Sequence, residues 1–200
     1  MRIDHLVWYR PDLAEGRRHF ETRMDAQPAY GGEHPGEGTA NCVLGLGAST
    51  YLEILGRDPA QSADRLDPEL RPLTGDGLYH WAVGGIDLDL LAERARKAGL
   101  DGGALVPGGR KKPDGSWLGW TCFGIRNHGF GAQVPFFIDW MESEHPALAA
   151  PQGRRNWSRS MSISRRMKPP MRPAPCSRST VPKAYPRARP GLAAEMLRTQ

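Results

Sequence analysis

Two short apolar runs, Ile3-Asp4-His5-Leu6-Val7-Trp8 and Leu78-Tyr79-His80-Trp81-Ala82-Val83, carry a single histidine at the same place, His80 standing 75 positions after His5. Each run leads through a loop with an acidic residue into an amphipathic stretch, Leu13 to Met24 in the first copy and Leu88 to Ala98 in the second. That order reads strand, then helix. Farther on, each copy reaches an apolar run with one acid inside it, Tyr51-Leu52-Glu53-Ile54-Leu55 and Phe136-Phe137-Ile138-Asp139-Trp140. Two histidines and two carboxylates therefore take equivalent places in two copies of one pattern. The expected fold class is α+β, with two β-α-β-β modules and room for a third closing strand in each.

At 200 residues the chain has the length of one ordinary domain, or of two small modules sharing a core, plus a tail. The net charge of +5 suggests a polyanion partner until its distribution is examined. From Arg154 to Gln200 there are 12 Lys or Arg against one acid, Glu195, so totals of 27 and 22 leave 15 basic and 21 acidic residues in 1–153. The body is mildly acidic and the basicity belongs to the tail. The 3 cysteines, Cys42, Cys122 and Cys176, show no CxxC spacing, which argues against a disulfide framework and a structural zinc site and for a reducing cytoplasm. No apolar run approaches 18 residues and no signal-peptide pattern opens the chain, so no membrane association is expected.

The first module spans 1–57. Asp12 is placed to cap the helix from Leu13, and Gly31 to Thr39 is too rich in glycine for regular structure, so it reads as a long, function-bearing loop. Asn41 to Leu46 and Ser49 to Leu55 form a hairpin turning at Gly47-Ala48. A proline-marked linker, 58–77, separates it from the second module, 78–145. There Asp87 caps a helix closed by Gly99, a strand surrounds Ala104 to Val106, Pro113-Asp114-Gly115 marks a turn, and strands cover Trp117 to Ile125 and Val134 to Met141. The domain ends near residue 150. Residues 151–200, with seven prolines between Pro169 and Pro190 and almost no apolar periodicity, read as a disordered basic tail. Its Arg-Pro-Ser-Ala composition fits a reading-frame slip near codon 153 of a GC-rich gene, which sequencing the locus would test. The tail's arginines could meet phosphates nonspecifically, but no specific nucleic-acid partner is expected without interleaved aromatics.

Paired modules with a histidine on the first strand and an acid on the last resemble the vicinal oxygen chelate superfamily. Asp4-His5-Leu6-Val7-Trp8, the stretch Gly32 to Asn41, Tyr51-Leu52-Glu53, Pro113-Asp114-Gly115 and Val134 to Trp140 together are similar to bacterial glyoxalase-like domain proteins over residues 1–150. The resemblance implies paired β-α-β-β-β modules forming a cupped mixed sheet, with one cleft lined by the modules' first and last strands. Carried over residue by residue, it implies metal ligands at His5, Glu53, His80 and Asp139, although Asp139 is one methylene shorter than the glutamate usual there. Such a set suits a divalent ion, Fe, Mn, Ni, Co or Zn, acting as a Lewis acid on a substrate enediolate or oxyanion, with Glu53 as a displaceable base. The implied activity is that of a metal-dependent lyase, isomerase or dioxygenase of a small organic molecule. A metal-free small-molecule binder of the drug-resistance type is the alternative.

The plain structural alternative is that His5 and His80 are hydrogen-bonded strand histidines and that Glu53 and Asp139 pair with arginines. An acid inside each of two apolar strands weighs against it, because an unpaired buried carboxylate is costly. His34 and Asn41 are further substrate-contact candidates. Arg110 is also one, although Arg110-Lys111-Lys112 reads first as a solvated turn. Among the tryptophans that fill the core and cleft wall, Trp81 and Trp120 are candidate substrate contacts. Cys42 and Cys122 have no evident base partner for nucleophilic catalysis. Two modules in one chain can build the cleft alone, so a monomer suffices, and a homodimer is equally compatible.

Overall fold

The computed structural model describes residues 1–153. Strand β1 (Arg2–Asp12) runs into helix α1 (Leu13–Met24), where the Asp12 side chain accepts a hydrogen bond from the Glu15 N–H and satisfies one of the helix's free donors. Strands β2 (Ala29–His34), β3 (Thr39–Gly45) and β4 (Tyr51–Arg57) complete the first unit. The second repeats the order: β5 (Gly77–Gly84), then α2 (Leu88–Lys97) with Asp87 accepting from the Leu90 N–H, a two-residue strand β6 (Asp101–Gly102), β7 (Val106–Lys111), β8 (Trp117–Arg126) and β9 (Phe136–Asp139). A short helix, α3 (Pro146–Ala149), follows. Among the described residues no helix is long and apolar enough to cross a membrane. The tail expected to be disordered lies outside the described residues, apart from its first three.

The strands form one mixed sheet in the order β2-β3-β4-β1-β5-β9-β8-β6, with β7 paired to β8. Strand alternation assigns each side chain to a face. On one face Cys42, Leu44, Leu52 and Ile54 pack against Phe20 and Met24 of α1, with Leu6 and Trp8 alongside. Burying each of these large side chains contributes about 1.5–3 kcal/mol, which holds the helix on that face. The opposite face of β1, β3 and β4 presents His5, Val7, Asn41, Tyr51 and Glu53, and these line a cavity. The sheet curls enough that β2 approaches β7: a Cβ on Gly32 would lie 2.6 Å from the Lys111 carbonyl oxygen.

Two expectations are corrected here. Gly31 to Thr39 is not a loop throughout, since its first half belongs to β2, paired to β3 through Gly32↔Asn41 and His34↔Thr39. Glycine is needed at this edge because the sheet closes there, and Gly32 also has φ +136°. Arg110-Lys111 is not a solvated turn either. β7 starts at Val106 and carries both residues in register with Leu118 and Trp117, so alternation buries Arg110 and exposes Lys111.

The two units meet at β1 and β5, which run antiparallel with His5 opposite Ala82 and Val7 opposite His80. A twofold relation between the units therefore exchanges His5 with His80 and Val7 with Ala82. On the outer sides, Val7 is the register partner of Glu53 and Ala82 that of Phe136. The counterpart of Glu53 is thus Phe136, and the chain has no carboxylate there.

Candidate functional site

His5 projects from β1 into a cavity of about 480 Å³ on the face of the sheet away from α1. Its neighbour Asp4 is fully buried, because an irregularity in pairing between Ile3 and His5 turns both residues inward. His5 Nδ1 lies 2.8 Å from Asp4 Oδ1, and His145 Nε2 lies 3.0 Å from Asp4 Oδ2. Trp140 Nε1 donates to the same carboxylate at 3.2 Å. Burial pushes the Asp4 carboxyl up, but hydrogen bonds from His145 and His5 and their charges outweigh it and hold the group well below the usual carboxylate range. An ionised carboxylate only accepts, so His5 carries its proton on Nδ1 and, when neutral, turns a bare Nε2 toward the cavity.

That Nε2 faces Glu53 Oε2 at 3.5 Å. Asn41 Nδ2 donates to the other oxygen, Oε1, at 2.7 Å. The same amide is 3.3 Å from His34 Nε2, and His34 Nδ1 is 2.9 Å from Thr39 Oγ1. Thr39, His34, Asn41, Glu53, His5, Asp4 and His145 therefore form a continuous polar row across the sheet, buried apart from its end at His145. Such a network in low dielectric holds its members in fixed orientations.

Aromatic and apolar groups wall the rest. His5 stacks on Tyr51 with ring centroids 4.6 Å apart, and Trp120 meets His34 at 6.2 Å and Trp140 at 5.8 Å. Arg110, 4% exposed, also lines the cavity. Burial pushes the Cys122 thiol up to about 12, so this cavity cysteine is no nucleophile at neutral pH. A larger hollow of about 760 Å³ lies on the other face of the first unit. Among its polar groups Gln61 bridges Asp58 and the Gly36 N–H, Arg57 donates to Tyr9 and to backbone carbonyls, and Arg17 Nε lies 2.9 Å from Glu21 Oε1 in an ion pair. The smaller cavity holds Asn41 Oδ1 and Arg110 Nη1, both buried without a hydrogen-bond partner among the described residues, together with the imidazoles and Glu53.

A glyoxalase-like domain family model matches residues 3–164. The chain belongs to the glyoxalase-like domain family. It is thereby placed in the vicinal oxygen chelate superfamily, whose α+β fold it has. No curated protein matches it. Among solved structures, a hypothetical protein from Staphylococcus aureus is similar at a TM-score of 0.58 and 18% identity, over 70% of this chain and 59% of that one. This chain thus spans about three-fifths of that relative. Methylmalonyl-CoA epimerase from Streptomyces coelicolor, in complex with 2-nitronate-propionyl-CoA, is similar at a TM-score of 0.50 and 19% identity, over 73% of this chain and 99% of that one. These likenesses concern the fold.

In this glyoxalase-like domain the four ligands implied by resemblance do not converge. His5 and Glu53 face each other, and His80 lines the same cavity, half-buried. The Phe136 ring, however, contacts both imidazoles, with centroids 5.4 Å from His5 and 5.2 Å from His80. Asp139 is exposed on the other face, its Oδ1 accepting from the Met141 N–H at 2.9 Å. It lies one position off the cavity-facing set Phe136, Ile138 and Trp140, and a shift of one residue on a strand reverses the face. Among the described residues no three His, Cys, Asp or Glu side chains are grouped to hold a metal ion. The donor set does not fit the four-ligand ion.

His34, Asn41, Arg110 and Trp120, named from sequence as substrate contacts, all line the cavity. Trp81 does not; adjacent to cavity-facing His80, it points the other way and donates to the Gln133 carbonyl at 3.3 Å. Sequence reasoning passed over Asp4 and His145. The Asp4-His5 dipeptide was a signal for the first, since a carboxylate commonly orients a functional histidine. His145 carried none, because its link to Asp4 spans 141 positions.

Proposed function

We propose that this glyoxalase-like domain binds a small organic molecule in the β1–β4 cavity and moves a proton on it, in an isomerase- or lyase-type reaction without a bound metal. The observation that carries the reading is the alignment of Asp4, His5 and Glu53. Asn41 occupies Glu53 Oε1, which leaves Oε2 as the free basic oxygen. In the proposed step Oε2 takes a proton from a carbon next to a carbonyl, and the electron pair of the broken C–H bond spreads onto the carbonyl oxygen. His5, oriented by Asp4, exchanges a proton with Glu53 or donates one from Nε2 to that oxygen, while the buried Asp4 charge stabilises the imidazolium. The lyase and isomerase readings keep Glu53 as base. The metal-dependent forms, dioxygenase chemistry among them, call for three or more converging ligands, a grouping not found among the described residues.

The test is solvent exchange. The full chain is incubated in D2O with a panel of 2-oxo acids, aldehydes and thioesters bearing an acidic C–H, and loss of the C–H signal is followed by proton NMR with and without EDTA. The expected result is exchange into at least one compound, insensitive to EDTA and reduced by roughly 10²-fold or more in Glu53→Gln. Compounds that bind without exchanging in the wild type would overturn the enzyme reading. That outcome would favour a binding protein, which the wall of Tyr51, Trp120, Phe136 and Trp140 also suits.

A further inference from the structure

Arg110 is a buried charged group of the cavity that the proton chemistry does not use. It arrives from β7 through the curl of the sheet and lies beside β2, where a Cβ on Gly31 would stand 3.0 Å from its Nη2 and a Cβ on Gly32 would stand 3.0 Å from its Nη1. The two glycines make room for the guanidinium. It is 4% exposed, yet its Nη1 has no hydrogen-bond partner among the described residues. Among the described residues no hydrogen bond or ion pair joins it to Glu53, whose Oε1 accepts from Asn41 and whose Oε2 faces His5. Asn41 Oδ1, beside the same glycine, is likewise buried without a partner.

A guanidinium that is buried, unpaired and never deprotonated destabilises the empty protein, and it presents a planar fork suited to an oxyanion. We propose that Arg110 receives an oxyanion group, a carboxylate or a phosphate, on the molecule that occupies this cavity. The proposal rests on the cavity being the ligand site given above, but not on proton transfer there. The anion would anchor on Arg110 at the β2–β7 side, with the remainder of the molecule against Trp120 and Glu53. Neutral analogues would leave the cation unpaired and be rejected.

The experiment titrates benzoate and phenyl phosphate into the full chain, against benzamide as the neutral counterpart, by calorimetry and tryptophan fluorescence in chloride-only buffer. At least one anion is expected to bind tenfold or more tightly than benzamide. That preference should vanish in Arg110→Met and persist in part in Arg110→Lys. Whichever anion binds better identifies the source as a carboxylic acid or a phosphate ester. Arg110→Met should also melt at or above the wild-type temperature in that buffer, because it removes an unpaired buried charge. The proposal is overturned by absence of any anion preference in the wild type, by a preference that survives Arg110→Met, or by Arg110→Met melting well below wild type, which would assign the residue to stability. Glu53→Gln separates the two readings: it should abolish exchange while keeping the anion preference.

Discussion

Phe136 stands where the repetition of the two units would place a second Glu53, each being the register partner of an equivalent residue on the paired central strands, Ala82 and Val7. One aromatic ring thereby takes the place of a second carboxylate and lies close to both His5 and His80. Phe136→Glu should create what the natural chain lacks. Dialysed against Ni²⁺ or Zn²⁺, this variant is expected to retain close to one equivalent, with affinity on the order of a hundredfold above wild type, the upper scale on which changes around a ligand shell act. Metal analysis checks it, and equal retention by the two proteins would refute the assignment.

Asp139 and Trp81 are outside the cavity despite their place in the sequence pattern. Asp139→Asn keeps an acceptor for the Met141 N–H, so it should change stability by less than about 0.5 kcal/mol and leave benzoate binding and exchange at wild-type levels. Urea unfolding and the titrations described above measure both.

Gly31 is where the fold leaves room for the site. A Cβ there would overlap Asn41 Oδ1 and crowd the Arg110 guanidinium. Gly31→Ala should cost about 1–3 kcal/mol from overpacking and weaken both anion preference and exchange. Gly75→Ala, where nothing lies within 4 Å of the added carbon, serves as control and should fall within about 0.5 kcal/mol of wild type.

His80 is held neutral chiefly by burial, its pKa lying below the ordinary 6.5. A depressed folded value means that its contribution to stability is full above the unfolded pKa and is lost as pH falls through the folded one, because the unfolded chain takes up the proton first. Wild type should therefore lose more unfolding free energy between pH 7 and pH 5 than His80→Gln. Urea denaturation at each pH gives the comparison, and parallel curves would show that His80 is not the group responsible.

Much of this was legible along the chain. The repeated histidine-bearing strands, the caps at Asp12 and Asp87 and the helices behind them depend on neighbours a few residues away, and so does the alternation that gives each strand a core face and a cavity face. Glu53 could be singled out because a carboxylate inside an apolar strand is conspicuous. Asp139 looked equivalent for the same reason, yet equivalence of composition did not carry equivalence of register.

What the sequence by itself determined is the pair of β-α-β-β-β units and the residue types available to a cavity: imidazoles, carboxylates, an amide, a guanidinium and indoles. Tertiary structure alone decided which of them meet. The pairing of β1 with β4 and β5 and of β5 with β9 made Phe136, not Asp139, the counterpart of Glu53. The irregularity at Asp4 turned it toward His5 and His145, and the curl of the sheet brought Arg110 over Gly31 and Gly32. The physical reason is that face and partner on a strand depend on register across the sheet, and register is set by hydrogen bonds between segments up to tens of residues apart, which local periodicity does not encode.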